Sequence, residues 1–326
     1  MCVIFGDNLS RQTLGAYDGC HTTGGRGPGT AASQAAKRQP TGCAANPAVA
    51  YLVDANRLEC RRPGAAGYGV RPVSEPYPEF VARFYDLVYA QVRDGVDNAW
   101  YLDRMAAAGG PVLEIGVGTG RLFVEARRRR IDAWGIDRSP AMIERCRAKL
   151  EPGDRERVSV ANAVHLRTNQ RFALVCAPFR VLSHVHDTYD QLRLLDAVHD
   201  CLEPGGVFVF DLYVPNLKLL LEGLPELTDF DGEHAPGLRL RRIVSSAPAD
   251  LSRQTNRVRM SLLWQEEDGE HRGDWEFDMR FFFRFEIEHL VARSKLSLET
   301  MLGDFTGGPL AADSREYVVV CRRPMR

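Results

Sequence analysis

Apolar positions along the chain change their spacing from one stretch to the next, and those changes mark out its elements. Phe80, Phe84, Leu87 and Val88 recur at helical intervals, which predicts a helix where the folded region begins, near Tyr77. Val112-Leu113-Glu114-Ile115 then reads as a strand running straight into Gly116-Val117-Gly118-Thr119-Gly120-Arg121. A second strand over 131–137 ends in Asp137. Ser139 follows as an N-cap with Pro140 at the first helical position, and Met142, Ile143, Cys146 and Leu150 continue at helical spacing. Residues 157–163 and 172–177 read as the third and fourth strands. Leu192, Leu195, Val198 and Leu202 mark an amphipathic helix that Pro204-Gly205-Gly206 turns into a fifth strand over 207–213.

Between about residues 237 and 284 the period becomes strand-like, over 238–246, 257–266 and 275–283, with Asp268-Gly269 marking a hairpin. Met260, Leu262, Trp264, Trp275, Phe277 and Met279 partly alternate, so one face of an inserted antiparallel β lid is expected to be buried. A helix at 286–291 and strands at 296–305 and 317–321 close the chain. Helices alternating with strands predict a doubly wound α/β fold with a parallel sheet, by the right-handed crossover rule.

Composition changes this picture mainly at the N-terminus. Residues 1–75 are rich in Gly, Ala and Arg and show no sustained apolar period, and no methionine occurs between Met1 and Met105. They are expected to be a disordered tail, or sequence upstream of a true start such as the codon of Val70, with one domain over 76–326. A net charge of -1 exerts no general pull toward nucleic acid or anionic lipid. Apolar runs stay short of the roughly 18 residues that span a bilayer, so a soluble cytoplasmic protein is expected. Eight cysteines lack C-x-x-C spacing, and Cys146, Cys176, Cys201 and Cys321, within predicted helices or strands, read as small buried hydrophobes rather than disulfides or a metal site. Arg127-Arg128-Arg129-Arg130 suits the C-terminal end of a helix, with an RNA-contacting patch as its alternative.

Candidate chemistry centres on the glycine loop. Its glycines fall as G-x-G-x-G, whereas the dinucleotide fingerprint, G-x-G-x-x-G, seats a pyrophosphate on a helix N-terminus. Glu114 repels phosphate and suits a ligand with an ammonium group, which favours S-adenosylmethionine over a nicotinamide. Asp137, at a strand end, suits ribose hydroxyls. Through Leu113-Glu114-Ile115-Gly116-Val117-Gly118-Thr119-Gly120-Arg121 and Gly135-Ile136-Asp137-Arg138-Ser139-Pro140-Ala141-Met142, the chain resembles the class I S-adenosylmethionine-dependent methyltransferases over roughly Pro76 to Pro324. The resemblance implies a seven-stranded Rossmann-like sheet with an antiparallel seventh strand. It places Glu114, Gly116 and Gly118 beside the methionine moiety and Asp137 on the ribose, and Arg138, Met142, Ala163 and Pro178 are expected in the same cofactor-binding set. Tyr85 is expected to close over the cofactor, although core packing is the simplest role for its helix's aromatic residues. Asn162 stands where similar enzymes place an aspartate that accepts from the adenine amino group, and its amide oxygen can accept that bond.

At the exit of the fourth strand, Ala177-Pro178-Phe179-Arg180 lacks the amide and tyrosine with which nucleic-acid amino methylases clamp a base. His184 and His186 lie two apart, so one is expected to face the pocket. His184 is the first candidate base, and Asp211, near the end of the fifth strand with Tyr213, is the second or else a structural partner. The expected function is in-line methyl transfer to a small-molecule amine or hydroxyl, with no metal. The alternatives are methylation of tRNA or protein, and a catalytically silent cofactor-binding protein; a nicotinamide dehydrogenase is the outgroup. Similar small-molecule N-methyltransferases use such a lid to cover the acceptor or to join subunits, so a homo-oligomer through the lid is a further expectation.

Overall fold

The computed structural model describes residues 76–92 and 95–325, and the stretch 1–75 lies outside them. Among the described residues two helices precede the first strand, α1 (Glu79–Val92) and α2 (Val96–Ala107), where periodicity predicts one. Strands and helices then alternate, except that β4 follows β3 with only a short turn between: β1 (Val112–Ile115), α3 (Phe123–Arg128), β2 (Ala133–Asp137), α4 (Pro140–Ala148), β3 (Val158–Val160), β4 (Phe172–Ala177), α5 (Thr188–Cys201) and β5 (Leu202–Tyr213). Ser139 caps α4 as expected, its hydroxyl accepting from the Met142 N–H at 3.3 Å with Pro140 in the first turn. After α6 (Leu217–Glu222) come four long strands, β6 (Leu224–Ala235), β7 (Leu238–Ser246), β8 (Thr255–Glu266) and β9 (Gly269–Arg280). The chain finishes with α7 (Arg284–Ala292), β10 (Ser297–Leu302) and β11 (Glu316–Arg322).

Seven of these strands form one sheet in the order β10-β11-β5-β4-β1-β2-β3. The β1–β2, β1–β4, β2–β3 and β4–β5 pairs are parallel, while β11 runs antiparallel to both β5 and β10. This is the doubly wound Rossmann-like arrangement, including the reversed last strand. Successive residues of one strand enter different apolar cores, Leu113, Phe208 and Val319 one of them and Val112, Val209 and Val318 the other. Strands covered on both faces need near-continuous apolar runs, which is why β1 and β4 read so clearly in the sequence.

The other sheet, β6-β7-β8-β9, is antiparallel throughout. It starts at Leu224, thirteen residues before the expected 237, because β6 shows no alternation: of its twelve residues only Leu224 and Phe230 are buried. Met260, Leu262, Trp275, Phe277 and Met279 do share a buried face, as expected, and that face packs on Val81, Phe84 and Val88 of α1. The Cys146, Cys176, Cys201 and Cys321 thiols are all buried and unpaired. Among the described residues, no helix is long and apolar enough to cross a membrane.

Candidate functional site

At the exit of β1, Gly116, Gly118 and Gly120 all adopt left-handed φ angles, of 75°, 57° and 89°. Side chains are excluded as well as strained there: a Cβ on Gly116 would meet Val181 Cγ2 at 2.4 Å, and one on Gly120 would meet Cys146 Sγ at 2.7 Å. Four of the loop's N–H groups are engaged inside the protein. Gly116 and Val117 both donate to the Ile136 carbonyl, at 2.8 and 3.0 Å, and Gly120 donates to the Val117 carbonyl at 2.9 Å. Gly118 donates to Asp137 Oδ2 at 2.9 Å, while Asp137 Oδ1 accepts from the Ser139 N–H at 2.8 Å. Asp137 therefore ties the loop to the start of α4. Burial raises its pKa, and the two backbone donors oppose that rise.

A cavity of about 910 Å³, its mouth included, opens beside this loop at the carboxyl edge of the parallel strands. Tyr85, Gly116, Gly118, Asp137, Arg138, Met142, Asn162, Ala163, Pro178 and His184 line it, which brings together every expected site residue except Glu114 and Asp211. Asn162 has a local task besides: its Oδ1 accepts from the Val164 N–H at 3.0 Å, capping a short turn. The second lone pair of that oxygen is left for a ligand. Tyr77 lines the cavity too, and sequence reading missed it because it sits in an extended segment with no period to betray it. Its carbonyl accepts from Ser139 Oγ at 2.9 Å, and its ring lies 4.5 Å from Trp275 and 6.2 Å from Tyr85. Through Trp275 the four-stranded sheet backs this wall.

Residues 112–206 match the family model described as a methyltransferase domain. That stretch is similar to a methyltransferase domain, and it lies within the Rossmann-like sheet described above. Its fold is similar to that of an S-adenosylmethionine-dependent methyltransferase from Clostridium acetobutylicum ATCC 824 (18% identity, TM-score 0.61, covering 76% of this chain and 98% of that one). Similar too are the CcbJ methyltransferase from Streptomyces caelestis (24% identity, TM-score 0.58, 72% and 98% covered) and the sugar N-methyltransferase KedS8 from Streptoalloteichus sp ATCC 53650 (20% identity, TM-score 0.59, 78% and 96% covered). A search of curated proteins finds no match.

Glu114 and Asp211 do not line the cavity, and for Asp211 this agrees with its alternative as a structural partner. Glu114 is buried beneath the loop, 2% exposed, with no hydrogen-bond partner for Oε2 among the described residues. Burial pushes its carboxyl up to about 8, against the opposing pull of Arg121, so it is largely uncharged at neutral pH. Repulsion of phosphate by an anionic Glu114 therefore does not operate in this state. Asp211 is fully buried and does not line the cavity, the end of β5 being covered on both sides. Its Oδ1 accepts from the Tyr101 O–H and from the Phe179 N–H, each at 2.7 Å. That bond braces a strained turn, since Phe179 and Arg180 both hold left-handed φ angles, of 63° and 66°. Arg180 points inward to Glu316, at 2.9 Å, and lies over the Tyr213 ring.

His184, by contrast, lines the cavity, as expected of one histidine of the pair. Its ring lies 6.0 Å from both Tyr77 and Phe277, and burial, aided by His186, lowers its pKa to about 4. It is neutral at physiological pH. His186 turns away and meets the Asp278 carbonyl at 2.8 Å, so one histidine of the pair faces the cavity. At the end of α3, Arg127 pairs with Asp154 and Arg129 with Glu125, an ion-paired helix terminus. No cluster of three metal-ligating side chains occurs among the described residues.

Proposed function

We propose that this protein transfers a methyl group from S-adenosylmethionine to a nitrogen or oxygen of a small-molecule acceptor. The observation that carries the proposal is where the loop's amides go. A site for pyrophosphate aims free N–H groups outward, but here Gly116, Val117, Gly118 and Gly120 donate within the protein. A cofactor without phosphates suits such a loop. Asp137, pinned by two backbone donors, presents a carboxylate to the ribose hydroxyls, while Met142, Ala163 and Leu194 offer an apolar slot for a flat base. Arg138 and Pro178 complete that side, and Tyr85 covers it. Glu114, held neutral by burial, ionises more readily once a ligand's ammonium comes within reach.

When bound, S-adenosylmethionine supplies a methyl group on a cationic sulfur, open to in-line displacement by an acceptor lone pair. This chain's residues then have to align the acceptor and exclude water. Neutral His184 accepts a hydrogen bond from the acceptor's N–H or O–H and so aims the lone pair. With a pKa of about 4 it is a poor proton sink, too weak to strip a hydroxyl. Of the two accepting atoms, nitrogen is therefore favoured, because a neutral amine attacks without prior deprotonation.

Thermal melting tests the cofactor first. S-adenosylhomocysteine is expected to raise the melting temperature and NAD to leave it unchanged, by simple linkage; the reverse result overturns the proposal. Incubation with labelled S-adenosylmethionine and separate small-amine, small-alcohol, RNA and protein fractions then tests the acceptor. Label is expected among the small amines. Label in RNA or protein overturns the small-molecule acceptor, and cofactor binding with no transfer anywhere marks a silent binder.

A further inference from the structure

Thr119 occupies the middle of the glycine loop, yet its side chain takes no part in the cavity wall. It is 1% exposed, and its hydroxyl donates to Asp86 Oδ1 at 2.7 Å. Asp86 directly follows Tyr85 in α1, and its other oxygen meets Lys149 Nζ at 2.5 Å. The loop that shapes one end of the cavity thus grips the helix that supplies its aromatic cover.

α1 is attached differently on its two sides. Toward the four-stranded sheet it packs through Val81, Phe84 and Val88, reinforced by Arg83 with Glu266 at 2.6 Å. Toward the methyltransferase domain its ties include polar contacts: Asp86 with Thr119, Glu79 with Arg145, and the Tyr77 carbonyl just before it with Ser139 Oγ. An apolar interface is hard to open, whereas a few hydrogen bonds near solvent break and reform readily. Of these ties, the Thr119 bond has a fully buried donor and a charged acceptor, the combination that makes a hydrogen bond strong.

We propose that the Thr119 hydroxyl and the Asp86 carboxylate form a latch by which the glycine loop holds Tyr85 over the cofactor cavity. Thr119 and Asp86 are then positioning residues that set how long a cofactor stays bound. The latch rests on the assignment of the cavity to S-adenosylmethionine and its demethylated product.

The test uses the full chain with S-adenosylhomocysteine as probe, measuring Kd by calorimetry and both rate constants by stopped-flow fluorescence. Thr119→Val keeps the branched shape and removes the hydroxyl, while Asp86→Ala removes the acceptor at a half-exposed position where folding is not at risk. Each is expected to speed dissociation about tenfold, the scale of one charge-assisted hydrogen bond, with association changed less than about twofold. The double variant is expected to be no worse than either single one, and Thr119→Ser to restore slow release. Lys149→Ala, which removes only an exposed partner, is expected to change dissociation less than about threefold. Dissociation rates within twofold of wild type in both single variants, or effects that add in the double variant, overturn the latch. If the wild-type chain itself binds no S-adenosylhomocysteine, the cofactor assignment falls and the latch with it.

Discussion

In the seven-stranded sheet, apolar side chains fill both faces, and the loops after β1 and β2 line the cavity with backbone and a single carboxylate, Asp137. In the four-stranded sheet, one face is apolar and the other carries ion pairs such as Arg257 with Asp278 and Arg272 with Asp274. The first design leaves little freedom, because any change at Gly116 or Gly120 collides with Val181 or Cys146. The second presents side chains to the cavity's outer wall through Trp275 and Phe277, and those can be exchanged without disturbing a loop. On the proposed function, one sheet would hold the methyl donor and the other would select what receives the methyl group.

If the sheets divide labour in this way, damage to one should spare the other's task. The largest effect is expected at Arg242, buried in the four-stranded sheet with Asp229 at 2.6 Å and lying over the Tyr89 ring. Arg242→Met strands a buried carboxylate and is expected to destabilise the protein by about 3–5 kcal/mol in urea titrations. S-adenosylhomocysteine affinity at low temperature should stay within about threefold of wild type, and a parallel collapse of binding would erase the contrast.

Next in size is Glu114, in the seven-stranded sheet. Its folded-state pKa, about 8, lies above the ordinary 4.5, so the native protein holds a proton that the unfolded chain has released. Stability from this group is full below the ordinary value and is lost as pH rises through about 8. Glu114→Gln is expected to flatten that loss, gaining about 2–4 kcal/mol over wild type near pH 8 and far less near pH 5, read from urea midpoints. Equal gains at both values would show that burial does not govern this carboxyl.

The smallest of the three concerns Asp137. Asp137→Ala removes the acceptor for the Gly118 and Ser139 N–H groups and is expected to weaken S-adenosylhomocysteine binding about 100-fold in calorimetry, roughly 2.7 kcal/mol. Unchanged binding would shift the ribose contact elsewhere.

What could be read from the sequence follows the same division. The strand, three-glycine loop, second strand, Asp137 and the Ser139 cap form one local run, so their geometry follows from adjacent residues. β6 was not visible, since its charged and half-exposed residues leave no alternation to detect. For Asp211 the structural-partner alternative matches the bonds it makes, and for Glu114 the sequence left its burial unread, because in strands buried on both faces alternation does not say which side is wet. Tyr77 lay beyond reach, because its position depends on contacts with Ser139 and Trp275, far away in the chain. The position of His184 in the cavity wall was legible because a turn after a central strand has few places to point.

The turn at Phe179 and Arg180 bears on how this wall can evolve. Two successive left-handed residues, anchored by Asp211 and Glu316, make the positions selective for backbone shape before side-chain contact is considered. A randomised library at these two sites, selected only for folded protein, should be enriched in Gly, Asn and Asp and depleted of Val, Ile and Thr. Pocket shape near the acceptor would then diversify by jumps between aromatic and very small residues, with few branched intermediates along the way.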